Sequence, residues 1–418
     1  MKLLIAVFFL TSLGAWAQGF HERAPNNYSG TSEQNAATLL NRRLEAGELR
    51  LEVKGGTGRL EAVLAALKVP ASSQMLVSSK TSFHRDLISP QNPRAVYYGP
   101  DAYVGWVKGA GVLEVAVGDP KLGLVFYTLS QDSKVPPRFR RDDACLSCHG
   151  TSRTGNEPGL VIRSIFPDDK GRPISSAGEA EVETSTPFEQ RWGGWLVTGR
   201  FEGRHRGNGV AVKRGESWVL EPMKAADLKA FSKDFDASVY LRPSSDVGTL
   251  MVFEQQATLH NLLIRGALQV RCLLESDREI NELLGQSGPR EQSVRIIGNL
   301  AKEIAASLLL KGEPDLSAAK IIPDAAFAAD FAALWPASSA GERLGALEMK
   351  SQLFRLPLSP MIHSPAFEVL PAELKSAAFK ELRSVLEGGG AWPEGVKPMT
   401  AEMKFRLHRH LLETVKGY

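Results

Sequence analysis

The chain has 418 residues, 43% of them hydrophobic, which is enough to build two or three domains with a substantial core. Its 50 basic and 47 acidic side chains nearly cancel, so neither a basic nucleic-acid binder nor a polybasic membrane-surface protein is indicated. Three cysteines are too few for a disulfide scaffold, and two of them, Cys145 and Cys148, are close together, which makes them chemical rather than structural candidates.

Residues 1–17 read as a cleavable signal peptide: Lys2 supplies the charged start, Leu3 to Leu13 the apolar stretch, and Ala15-Trp16-Ala17 the small-residue cleavage pattern. This directs the chain to export, with the bacterial periplasm as the expected location. No later run of about 18 apolar residues suggests a transmembrane helix. Residues 18–70 form a linker and a small α-rich unit. The polar stretch 18–32 suits a flexible start; Leu39, Leu40 and Leu44 then mark a helix, Leu49, Leu51 and Val53 alternate, and Leu60 to Leu67 form a second helix stopping at Pro70.

From residue 71 to 240 the texture changes to short apolar runs broken by Gly, Pro and Asp, starting at Gln74, Ala95, Ala102, Val112, Leu122, Leu160, Trp195 and Val210, whose lengths suit strands. Residues 241–418 read as an α-helical region. Long periodic stretches run from Thr249 to Leu274 and from Val294 to Leu310; a helix opens at Pro371, and a last one opens at Thr400 with Met403, Leu407, Leu411 and Val415 four apart. The segment 313–340 is ambiguous. The expected fold class is α+β, a β-rich central domain flanked by α-helical N- and C-terminal regions.

Within the β-rich part, Cys145-Leu146-Ser147-Cys148-His149 has the form C-x-x-C-H. Cysteines three apart put two sulfurs on one side of a helical turn, where they can form thioethers with the two vinyl groups of a porphyrin. His149, next to the second sulfur, is then held under the iron as proximal ligand. Asp142 or Asp143 can cap this turn and Gly150 can end it. A redox dithiol is the main competing reading, but the thioredoxin-like βαβ setting is missing; a zinc site would need further ligands, and there is no second C-x-x-C.

At these five residues the chain resembles c-type cytochromes, which implies one covalent haem c, electron transfer and a redox partner protein. The strands on either side of the motif do not fit the small all-helical class I cytochrome c fold. Val77 to Ser82, Tyr103 to Val107 and Arg191 to Gly199 are similar to an uncharacterised family of large exported bacterial proteins with one C-x-x-C-H. The run Cys-Leu-Ser-Cys-His-Gly between strands also resembles PAS-like haem sensor domains, which implies an exchangeable ligand as the alternative, in a sensor or a haem oxidoreductase.

For the second axial position His205 is the first candidate, because its glycine-flanked loop could approach a flat cofactor. His260, on the long helix, is the second; Met251, Met75 or an open face complete the set. Arg138, Arg140, Arg141 and Arg153 are candidates for the haem propionates, and Trp192 and Trp195 for porphyrin packing or core. His408 and His410 read as surface residues, and Cys272 as a buried reduced cysteine without a role. Neither a catalytic acid or base nor an oligomeric state is legible.

Overall fold

The computed structural model describes residues 19–220 and 223–418, so the expected signal peptide lies outside the described residues. Its centre is a seven-stranded antiparallel sheet in the order β6-β5-β4-β3-β2-β1-β9. The strands are β1 (Met75–Val77), β2 (Arg94–Tyr98), β3 (Ala102–Trp106), β4 (Val112–Asp119), β5 (Gly123–Ser130), β6 (Arg140–Arg141) and β9 (Trp195–Leu196). Two separate ribbons pair β7 (Arg163–Ile165) with β8 (Glu179–Glu181), and β10 (Ala211–Arg214) with β11 (Ser217–Leu220).

Both faces of the sheet are covered, which is why its strands read as nearly continuous apolar runs rather than alternating ones. Along β4, Leu113, Val115 and Val117 face one core together with Tyr97, Val104 and Tyr127. Helices α1 (Ala36–Glu45) and α2 (Leu60–Ala66) cover that side through Leu40, Leu60, Val63 and Leu64, and the segment carrying Leu228, Phe231 and Tyr240 adds to it. The opposite face, with Val96, Tyr98, Tyr103, Ala116, Leu124 and Phe126, packs on α4 (Val247–Leu284). Its core continues through α5 (Glu291–Leu308), α8 (Ala372–Leu386) and α9 (Ala401–Thr414), so it runs without a break from Met75 to Tyr418. Shorter helices α3 (Leu146–His149), α6 (Ala325–Ala333) and α7 (Pro365–Glu368) complete the set among the described residues. The α+β class is therefore observed.

Helix α4 is 38 residues long and begins where Asp246 accepts hydrogen bonds from the amides of Gly248 and Thr249. It ends at Gly285, which takes the left-handed conformation at φ 63°. Its buried Glu254 is the polar anchor of the fold. Arg191 Nη1 and Trp192 Nε1 each donate to its carboxylate at 2.5 Å, while Arg191 also donates to the carbonyls of Thr184 and Thr186. A carboxylate buried this deeply needs such compensation.

Some expected elements differ. Residues 18–32 suit a flexible start by composition, yet Asn26 and Tyr28 are fully buried. Asn26 Nδ2 donates to the carbonyls of Phe20 and Leu268, and the amides of Phe20 and His21 donate to buried Glu157, so polarity here reflects partners inside the protein rather than solvent. The alternating Leu49, Leu51 and Val53 form no strand; residues 49–53 lie in irregular chain. The runs from Leu160 and Trp195 contribute only three- and two-residue strands; Leu160 bonds Asn261 of α4 through its amide and carbonyl, and Thr198 bonds the backbone of Ser245 and Val247 where α4 begins. Pro371 is the N-cap of α8 rather than its first residue. His410 is buried, not on the surface, with its ring 6.4 Å from that of His363.

Arg191→Met leaves Glu254 without its cation and is expected to destabilise the protein by about 3–5 kcal/mol in denaturant unfolding; Arg191→Met with Glu254→Leu should recover much of that loss.

Candidate functional site

The Cys145–His149 motif enters the structure directly from the sheet. After β6, the Asp142 amide donates to the Phe126 carbonyl of β5 at 2.9 Å, and the Asp142 side chain caps the following turn by accepting from Ala144 N. Of the two expected caps, Asp142 is the one used. A short 3₁₀ turn, Asp143–Cys145, runs into α3, whose end is marked by the Gly150 amide donating to the Leu146 carbonyl. Both cysteines are free thiols, Cys145 half-buried and Cys148 exposed.

His149 is fixed from two sides. Its ring lies 4.8 Å from that of Phe126, and its Nδ1–H donates to the carbonyl of Gly159 at 2.8 Å. The Gly159 amide returns a bond to the His149 carbonyl, also at 2.8 Å. With the proton held on Nδ1, the neutral imidazole presents the Nε2 lone pair, the state an iron ligand requires. Burial, the largest effect, holds the imidazole's pKa below the usual histidine range, which keeps it neutral. The Gly159 loop is in turn clamped by α4: Asn261 Oδ1 accepts from the Leu160 amide and Asn261 Nδ2 donates to the Leu160 carbonyl, both at 2.8 Å.

The Cys145 thiol does not resemble the attacking thiol of a redox dithiol. A reactive cysteine is a stabilised thiolate with a lowered pKa, whereas burial, and then the nearby Asp142, push the Cys145 thiol up to about 12. Nor is there a zinc-type cluster: among the described residues no group of three His, Cys, Asp or Glu side chains is placed to hold a metal ion. A haem c needs something different, two adjacent sulfurs for carbon–sulfur bonds and one oriented imidazole, and Cys145, Cys148 and His149 fit that demand.

The distal candidates are arranged differently. His205 is buried beside Trp192 and Phe201, with ring centroids 5.6 and 5.1 Å away, and its Nδ1 accepts from the Gly207 amide at 3.0 Å. Its neutral tautomer therefore carries hydrogen on Nε2 and presents no lone pair there. His260 Nδ1 lies 2.8 Å from the hydroxyl of Tyr103, whose oxygen already accepts from Gln256 Nε2 at 3.0 Å. Among the described residues the Tyr103 hydrogen has no other acceptor, so it goes to His260 Nδ1, and the His260 proton again sits on Nε2, facing Asp101 Oδ1 at 3.6 Å. None of the hydrogen bonds or ring contacts of His205 and His260 runs to Cys145, Cys148 or His149. Met75 and Met251 are fully buried core residues.

Three of the four arginines considered for propionates have carboxylate partners: Arg138 pairs with Glu45, Arg141 with Glu33 and Asp143, and Arg153 with Glu179 and Glu181. Trp192 and Trp195 are core residues, the latter donating to the Arg163 carbonyl at 2.8 Å. Cys272 is a free thiol, half-buried rather than buried as expected, and its sulfur receives Asn26 Nδ2 at 3.2 Å because it sits where the N-terminal segment crosses α4. Sequence reasoning misses Gly159 and Asn261, which have no local signature, and the pair of Arg94 and Glu114, 2.6 Å apart on the sheet face that carries Phe126. No protein-family model, curated protein or solved structure matches the chain.

Burial pushes His205, His260 and His363 each down to about 4, so all three stay neutral in the fold while an unfolded chain protonates them near pH 6.5. Their contribution to stability is therefore present above pH 6.5 and lost as pH falls toward 4. Chemical denaturation between pH 6.5 and 4.5 should show stability falling, with His205→Phe reducing the slope by up to about 1.4 kcal/mol per pH unit.

Proposed function

We propose that this chain is an exported monohaem c-type cytochrome acting in electron transfer with a redox partner protein, its haem attached through Cys145 and Cys148 and its iron held by His149. The observation that carries this reading is the hydrogen bond from His149 Nδ1 to the Gly159 carbonyl, which leaves Nε2 as the unprotonated ring nitrogen of a residue that follows Cys148 on the turn begun at Cys145. Bound there, the haem would supply a one-electron iron couple. The protein's own part is to orient the imidazole through Gly159 and Asn261 and to back it with the ring of Phe126. Among the described residues no helix is long and apolar enough to cross a membrane.

Expression with a cytochrome c maturation system is expected to give haem that survives denaturing electrophoresis, and Cys145→Ala with Cys148→Ala should remove it. Haem staining retained in the double variant would reject covalent attachment at this motif.

A second reading, a small-molecule sensor or oxidoreductase with an exchangeable distal face, is favoured by the tautomers of His205 and His260, neither of which offers Nε2 to a metal. His205→Ala and His260→Ala are accordingly expected to leave the haem spectrum in its original spin state. Carbon monoxide separates the two readings: a reduced spectrum unmoved by the gas supports the carrier, and a shifted one supports the open face.

A further inference from the structure

A second polar centre lies away from the motif, in a cavity of about 290 Å³ between α4, the sheet and α7. Its lining is mostly apolar, with Leu263, Ile264 and Leu268 on the α4 side, but Asp119 and Arg271 also reach it, and His260 and Asp101 stand together at one point on it. Their facing atoms, His260 Nε2 and Asp101 Oδ1, are both covered and neither has a hydrogen-bond partner among the described residues. At 3.6 Å they are too far apart to bond to each other. Leaving buried polar atoms unmet costs about 1–3 kcal/mol each.

The supporting structure holds this pair in place. Gln256 Nε2 donates to the Gly99 carbonyl and to Tyr103, Tyr103 donates to His260, and His260 is left with an N–H directed at Asp101. Gly118 lies beneath the carboxylate, where a Cβ would collide with it. Burial, and then Asp119, push Asp101 up to about 8, so its carboxyl is mostly protonated at neutral pH. A single hydroxyl oxygen meets these demands in either state. It accepts from His260, and it donates to Asp101 when that group is ionised or accepts from it when protonated.

An enclosed apolar cavity of roughly 150 Å³ holds benzene; this one is larger, opens to solvent beside the exposed Leu39, and has room for a ring with a short substituent. We propose that the cavity binds a small apolar molecule carrying one hydroxyl, of the alkylphenol class, with its oxygen between His260 Nε2 and Asp101 and its ring against the α4 wall. This does not rest on the haem assignment, because the residues involved are separate from the motif.

Isothermal titration of the mature full-length chain, and of its Cys145→Ala, Cys148→Ala form, with 4-ethylphenol and 4-ethyltoluene tests it. The phenol is expected to bind one-to-one in both forms, at least about tenfold tighter than the hydrocarbon of matching shape, because only the hydroxyl meets the two unpartnered atoms. His260→Phe should abolish that preference. Ala366→Phe, on the half-buried α7 wall and outside the Tyr103 network, should block both compounds while circular dichroism shows the fold retained. Equal affinity for the two compounds, no binding of either, or phenol binding unaffected by Ala366→Phe would overturn the proposal.

Discussion

The buried carboxylate of Glu254 ties segments far apart in the chain to one point on α4. Removing an ionised group from water is tolerable only when its oxygens are met by donors, and here those donors come from Arg191 and Trp192, more than sixty positions earlier in the chain. To deliver both at once, the backbone turns sharply. Trp192 adopts φ 68°, unusual for a bulky side chain, and Gly194 follows at φ 85°. At Gly193 a Cβ would run into the Ile165 carbonyl, and at Gly194 the positive φ favours glycine, so the two glycines between Trp192 and Trp195 are demanded for different reasons, close backbone approach and left-handed backbone. That turn delivers β9 to the sheet edge beside β1.

Helix α4 transmits this constraint along its length. Glu254, Thr258 and Asn261 are four and three residues apart, so they share one face. Glu254 holds Arg191 and Trp192, Thr258 Oγ1 accepts from the Thr184 amide, and Asn261 clamps Leu160. Gln256, His260 and Leu263 lie on the other side of the same helix and meet the sheet and the cavity. One rigid element thus positions the loop that orients His149 and, from its opposite side, the polar end of a separate apolar chamber.

Much of this was legible in local sequence, and the gaps have a common cause. Five strands of the sheet, β1 to β5, stand where apolar runs predicted them, and α4, α5, α8 and α9 follow the helical periodicity, because burial on a face leaves a repeating pattern. The capped turn around Cys145 and Cys148 is likewise local chemistry and was readable from Asp142 to Gly150. Periodicity carries no record of which distant partner satisfies a polar group. Nothing near Gly159 signals that its carbonyl receives His149, nothing near Asn26 signals its bond to Leu268, and the tautomers of His205 and His260 depend on a backbone amide and a tyrosine that only the fold brings close. The same gap made residues 18–32 look like a free tail and His410 like a surface residue.

Strand β4 links the two polar centres through pleat geometry. Glu114, Ala116 and Gly118 alternate onto one face; Ala116 pairs with Phe126, which backs His149, and Gly118 lies beneath Asp101. A slip of one residue in the pairing of β4 would turn all three positions to the opposite face. It would take away the floor under Asp101 and displace the strand partner of the ring behind His149 in the same event. An insertion or deletion that shifts the register along the whole of β4 therefore reaches both centres at once, because both rest on a single alignment of the sheet.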